Sequence, residues 1–297
     1  MPHSPPAIPP TPTFLSVSGV RTRHIALGDG PPLVLLHGIG QSLEDWDEVI
    51  APLAERHRVY ALDLIGFGLT DKPDVPYSLA GLARFVRHFL DAVGETRPAT
   101  LIGNSLGGAV AQQFAVMYPE RTARLILVNS AGFGAEVTPL LRLLTVPRLG
   151  EWLLRPHPLS SARVVRAIFH DPAFVTPERL QHAAQVAEQP DRSRAYLRVA
   201  RHLGTWRGIR PDWRDTLIEQ LAARQLPTLL IWGEHDQILP SHHLQAAQQA
   251  YPHARSHLFK NTGHLPQVER AGDFSALVLA FLEEHTPPQN NLQENSA

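Results

Sequence analysis

Three residues far apart in the chain carry groups that could together run acyl transfer: Ser105, Asp236 and His264. Ser105 lies in Gly103-Asn104-Ser105-Leu106-Gly107-Gly108, after the apolar run Ala99-Thr100-Leu101-Ile102 and before the helix-like segment Ala109 to Met117. A G-x-S-x-G sequence between a strand and a helix holds its serine on a tight, strained turn, where side chains in place of the two glycines would clash. The turn presents the hydroxyl to a base. The helix N-terminus behind it offers free N–H groups and a positive dipole end to a developing oxyanion.

The partners follow downstream. Thr228-Leu229-Leu230-Ile231-Trp232 reads as a buried strand running into Gly233-Glu234-His235-Asp236. Asp236, just past the strand end, is the expected acid that orients and charge-stabilises an imidazole. Glu234, two residues earlier, is the competing carboxylate. Asn261-Thr262-Gly263-His264-Leu265-Pro266 follows the strand-like run His257-Leu258-Phe259, and His264 is the expected general base. Upstream, the apolar run Pro32 to Leu36 enters His37-Gly38-Ile39-Gly40. By position, the Ile39 N–H and the Leu106 N–H are the two expected oxyanion donors; one such donor is worth about 2.7–4 kcal/mol of transition-state stabilisation. His37 is expected to hold its loop by hydrogen bonding.

His37-Gly38, Gly103 to Gly107, Asp236 and His264 together resemble the α/β-hydrolase-fold serine hydrolases, with the nucleophile, acid and base in that family's chain order. The segment Asp63-Leu64-Ile65-Gly66-Phe67-Gly68-Leu69-Thr70-Asp71-Lys72-Pro73 is similar to the family's loop after its fourth strand, and the likeness spans Phe14 to His285. It implies an α/β fold with a mostly parallel central sheet of about eight strands flanked by helices, and an inserted helical cap. It also implies an acyl-enzyme route that needs no cofactor and no metal. Asp63 is expected to shape its turn, while Phe67, Asn104 and Leu265 are expected near the substrate pocket. The leading activity is hydrolysis of carboxylic esters with small or medium acyl groups. The alternative is C–C bond hydrolysis of vinylogous 1,5-diketones from aromatic ring cleavage, a branch that Asn104 and Asn129-Ser130-Ala131-Gly132 resemble. The short Gly38-Ile39-Gly40 turn and Leu265 depart from that branch; under that reading Arg194 or Arg198 would bind a substrate carboxylate. A third reading, from another class, is a non-catalytic module that binds a small ligand. Ser105 rather than an aspartate at the elbow argues against the epoxide hydrolase and haloalkane dehalogenase branches.

These residues need elements to position them. The expected strands are Phe14–Ser18, Arg23–Ala26, Leu33–Leu36, Arg58–Leu62, Thr100–Ile102, Leu125–Val128, Thr228–Trp232 and Arg255–Phe259. Helices are expected over Leu43–Glu55, Leu79–Val93, Leu106–Tyr118, Pro240–Ala250 and Phe274–His285. Strands alternating with helices predict a parallel sheet covered on both faces, with ligands beyond the carboxyl ends of the strands. The alternation breaks over residues 135–210, where no strand is expected and helix-like pieces fall at Leu140–Leu144, Trp152–Leu154, Ala162–Phe169, Pro177–Ala187 and Arg194–Leu203. This interval is expected to be the cap, residues 14–134 and 211–285 the core, 1–13 a flexible arm and 286–297 a disordered tail.

Composition sets limits. The 297 residues carry 27 Lys and Arg against 28 Asp and Glu, a net charge of −1, so no basic field exists to attract nucleic acid. There is no cysteine, which excludes disulfides and thiol nucleophiles. Residues 1–12 do not read as a secretory signal, and no apolar run reaches the roughly 18 residues a membrane span needs. The expected partner is a small-molecule substrate, the expected location the cytoplasm, and the sequence leaves the oligomeric state open. His235, His242 and His243 suggest a metal at first sight. Adjacent histidines point apart on a helix and no pair shares a face, so they are expected to be surface residues.

Overall fold

The protein is described by a computed structural model over residues 11–155 and 164–284. Its core is an eight-stranded sheet in the order β1 (Thr13–Val17), β2 (Val20–Leu27), β4 (Arg58–Leu62), β3 (Pro32–Leu36), β5 (Ala99–Asn104), β6 (Thr122–Val128), β9 (Thr228–Gly233) and β10 (Arg255–Phe259). β1 and β2 run antiparallel to their neighbours, and the strands from β4 to β10 are parallel. β3, β5 and β9 are buried along their whole length, which is why each reads as an unbroken apolar run.

Successive side chains of a strand face opposite sides, and that period divides the core in two. Leu33, Leu35, Ile102, Ile126, Leu229 and Ile231 pack beneath α1 (Asp47–Ala54) and α11 (Ala271–Glu284). Val34, Leu36, Leu101, Leu127, Leu230 and Trp232 face the other way, against α2 (Leu79–Ala92), α3 (Leu106–Met117), α8 (Pro211–Ala222) and α9 (His243–Ala250). Register then aligns the strand ends. Leu36 lies opposite Gly103, Asn104 opposite Val128, Val128 opposite Ile231, and Gly233 opposite Phe259. The loops after β3, β5, β6, β9 and β10 therefore leave one sheet edge at one level.

Between β6 and β9 the chain makes an insert: α4 (Pro139–Leu144), α5 (Leu149–Leu153), helical residues 164–168, α6 (Pro177–Ala187), α7 (Arg192–Leu203) and an antiparallel pair of β7 (Gly204–Thr205) and β8 (Gly208–Ile209), followed by α8. The β7–β8 pair corrects the expectation of no strand here; two residues per strand leave no period to read. α8 also corrects the sequence reading, which placed no helix there: Pro211 opens it, and Leu217 and Leu221 at i and i+4 are buried. Thr13, expected in the arm, pairs with His24 as the first residue of β1. Residues 1–10 of the expected arm, the tail 286–297 and residues 162–163 of an expected helix lie outside the described residues. The expected helix Leu43–Glu55 is a 3-10 turn, Leu43–Trp46, followed by α1. Among the described residues, no helix is long and apolar enough to cross a membrane.

Candidate active site

The turn from β5 to α3 is built as its glycines require. Ser105 has φ 54° and ψ −114°, a strained conformation for a residue with a side chain. Its backbone is fixed on both sides: Ser105 N donates to Val128 O at 3.0 Å, and Ser105 O accepts from Gly108 N and Ala131 N, each at 3.1 Å. A Cβ on Gly103 would fall 2.3 Å from Gly107 O, and one on Gly107 2.0 Å from Leu36 O. The two glycines thus let the elbow close on itself and on the end of β3.

His264 Nδ1 lies 2.7 Å from Asp236 Oδ2, and both side chains are buried. Asp236 is held by backbone as well: Ile238 N and Leu239 N donate to Oδ1 at 2.7 and 3.1 Å. The Asn129 amide donates to Oδ2 at 2.6 Å. The two Asp236 oxygens thus receive two backbone N–H groups and one amide besides the imidazole contact. Glu234 instead faces outward and accepts from Asn261 N at 3.2 Å. The His264 backbone is anchored from two directions, with its N–H donating to Ile168 O at 2.8 Å and its C=O accepting from Asn104 Nδ2 at 3.0 Å.

The turn after β3 is fixed through His37. Its Nδ1 donates to Gly38 O at 2.7 Å, while Leu64 N donates to Nε2 at 3.0 Å. That pattern needs the neutral ring, and burial pushes the His37 pKa down accordingly. Asp63 ties the same region, accepting from Leu43 N and Leu69 N at 2.8 Å each. Gly68, with φ +50°, passes so close that a Cβ would strike the Asp63 carboxyl at 2.2 Å. His37 and Asp63 are both wholly buried, where they hold loops and reach no substrate.

A cavity opens beside Ser105. Ile39, Leu106, Ala131, Val137, Leu141, Ala200, Leu203, Ile209, Ile238 and Leu239 form its apolar wall, with backbone and side chains of the insert on one side. Among the described residues, Arg142 is the one charged side chain on this lining; its Nε donates to Val137 O at 3.0 Å. Ile39 and Leu106 thus flank Ser105 on the cavity wall. Three expected pocket residues lie elsewhere. Asn104 is fully buried, spending its amide on Val128 O and His264 O. Phe67 packs edge-to-face on His37 in the core. Leu265 is buried with Val165, Phe169 and Val268. The candidate carboxylate binders are also spent outside the cavity: Arg194 on Asp191 and Lys72 O, and Arg198 on Asp74 and Val75 O.

Sequence reasoning assigns no site role to three residues here. Asn129 is noted only within Asn129-Ser130-Ala131-Gly132, and Arg142 has no spacing to announce it. Glu269 is buried in α10 (Pro266–Glu269) and joins the His264 loop to the insert. Its Oε1 accepts from Gly263 N at 2.7 Å, and its Oε2 from His170 N and Asp171 N at 3.0 Å each.

The chain is similar to known proteins along most of its length. An uncharacterized protein of Mycobacterium tuberculosis is 33% identical over 289 residues, covering 95% of this chain and 84% of its own length. A 2-hydroxymuconate semialdehyde hydrolase from a Pseudomonas species is 32% identical over 274 residues, covering 90% of this chain and 92% of its own length. The solved structure of a serine-to-alanine mutant of a meta-cleavage product hydrolase from Pseudomonas fluorescens, complexed with acetates, is similar at a TM-score of 0.79 and 27% identity, covering 92% of this chain and 98% of that one. Residues 31–271 match the model of the alpha/beta hydrolase fold family, and the chain belongs to that family.

Proposed function

We propose that this protein is a serine hydrolase that cleaves carboxylic esters of small or medium acyl groups. The observation that carries the reading is the 2.7 Å contact of His264 Nδ1 with a four-fold held Asp236, level with a strained Ser105 that lines an apolar cavity. His264 Nε2 takes the Ser105 proton as Oγ attacks the carbonyl carbon. The Ile39 and Leu106 N–H groups receive the oxyanion. The leaving alcohol departs with the proton from His264, and water, activated by the same base, cleaves the acyl-serine. Asp236 orients the ring and steadies the imidazolium. Residues 135–210 serve as a cap on the core of residues 14–134 and 211–285: Val137, Leu141, Ala200, Leu203 and Ile209 line the cavity and give it an apolar wall that shapes the acyl site.

A second reading is hydrolysis of a C–C bond in a ring-cleavage diketone acid. The activities after which the Pseudomonas relatives are named support it, and so does Arg142, whose guanidinium on the cavity lining can grip a carboxylate. Both readings are tested by giving the purified protein p-nitrophenyl acetate and butyrate beside a ring-cleavage diketone acid, with Ser105→Ala as control. Ester turnover that depends on Ser105 and exceeds diketone cleavage is the expected result. Fast diketone cleavage with feeble ester turnover, weakened by Arg142→Ala through KM, overturns it in favour of the second reading. Ester turnover unchanged in Ser105→Ala overturns both.

A further inference from the structure

Away from Ser105, three side chains that can ligate a metal converge where the loop after β6 meets the start of α9. His243 Nε2 lies 3.0 Å from Glu136 Oε2, and His242 Nε2 lies 3.8 Å from the same oxygen. One ligand atom from each residue fits within 4.8 Å of the other two. The expectation that neighbouring histidines diverge fails here, although His242, in the turn before α9, has helical φ and ψ of −66° and −15°. The two rings meet edge-to-face at 4.9 Å and 81°, and both reach Glu136. Gly134 makes room for this approach, since a Cβ there would lie 2.1 Å from His243 Nε2. His243 is 1% exposed, and its Nδ1 has no partner among the described residues, so only the Glu136 side of the ring is engaged. Glu136 and His242 are open to solvent, which leaves space for water to complete a coordination shell.

Two imidazoles and a carboxylate form a borderline donor set suited to zinc and its neighbours. At bond lengths of about 2.0–2.1 Å, tetrahedral ligand atoms stand roughly 3.3 Å apart. The observed 3.0 and 3.8 Å separations straddle that value. We propose that Glu136, His242 and His243 form a binding site for a divalent transition-metal ion of the zinc class, completed by water. The site adjoins the cavity wall. Thr138 N donates to Ile238 O at 3.0 Å, and Val137, Ile238 and Leu239 line the cavity, so a bound ion staples together two segments that shape the substrate space.

Tag-free protein, stripped with a chelator and titrated with zinc chloride by calorimetry, is expected to bind one ion per chain. Glu136→Gln and His242→Ala, both at solvent-open positions, are each expected to weaken that binding about tenfold or more, without altering metal-free ester turnover. Cobalt(II) is expected to give the visible absorption of a low-symmetry N/O site in the parent protein and to lose it in both variants. Zinc should raise the melting temperature of the parent alone. No binding by the parent overturns the site, and so does binding of equal affinity in both variants, which would put the ion on other histidines.

Discussion

Asn129 shows how the charge of the site is apportioned among residues. It follows the end of β6 with an amide rather than a carboxylate, and that amide donates to Asp236 Oδ2, the oxygen that meets His264. A second carboxylate here would repel Asp236; the amide supports its charge instead. Asp236→Asn is expected to lower kcat on p-nitrophenyl butyrate by about 10⁴, because the amide stabilises the wrong imidazole tautomer. Glu234→Gln, whose carboxylate faces Asn261, should cost less than about threefold; the opposite ranking would move the acid's role to Glu234. Asn129→Ala removes one of four donors and should lower kcat about tenfold with KM little changed. The candidates Ser105, Asp236 and His264 stand out in the sequence because each follows a strand end with turn glycines nearby. The roles of Asn129, Arg142 and Glu269 do not, because Asn129 meets Asp236 107 positions on, Glu269 ties Gly263 to His170 and Asp171 99 and 98 positions away, and Arg142 is marked only by the cavity it borders. Phe67, Asn104 and Leu265 were misplaced for a related reason: proximity to the motif in sequence put them under the site rather than in it.

Elements were easier to read wherever a period repeats. The alternation of Leu33 and Leu35 against Val34 and Leu36 sorts residues onto the two faces of the sheet and needs only a strand to do so. The β7–β8 pair is too short to repeat anything, and α8 went unread although Pro211 and the Leu217–Leu221 spacing announce it. At this scale the elbow's packing makes a paired prediction. Gly107→Ala forces a methyl to within 2.0 Å of Leu36 O. Such overpacking costs about 1–3 kcal/mol or more, and the melting temperature should fall several degrees with loss of ester turnover. Gly272→Ala in α11, where a Cβ meets nothing within 4 Å, should leave turnover intact. It should raise stability by up to about 1 kcal/mol, because alanine loses less backbone entropy in a helix. Thermal melts of the two variants side by side check both signs.

Across the whole molecule, core and insert are joined by polar contacts as well as by apolar packing. Glu44 receives Arg23 from β2 and His182 from α6, and Arg179 of α6 pairs with Glu48 of α1. Burial alone would raise the Glu44 carboxyl, but the hydrogen bonds from His182 and Arg23 outweigh it and hold the group well below the usual carboxylate range. A carboxyl depressed in the folded state adds stability above its unfolded pKa of about 4.3 and loses it as pH falls. Glu44→Gln should therefore melt below the parent at pH 7, with the gap closing as pH drops from about 5 toward 3. Melting curves across that range decide it; a gap independent of pH would mean that the pairing is not the source. The Glu269 contacts carry a different consequence, one for modularity. Relatives that differ in the segment between β6 and β9 look like a parts kit for exchanging specificity. Here, though, the carboxylate that secures Gly263 also caps the N–H groups of His170 and Asp171. A transplanted segment without those two donors in place would strand a buried carboxylate oxygen beside the His264 loop, so a working chimera must be cut to include residue 269 together with the segment it grips.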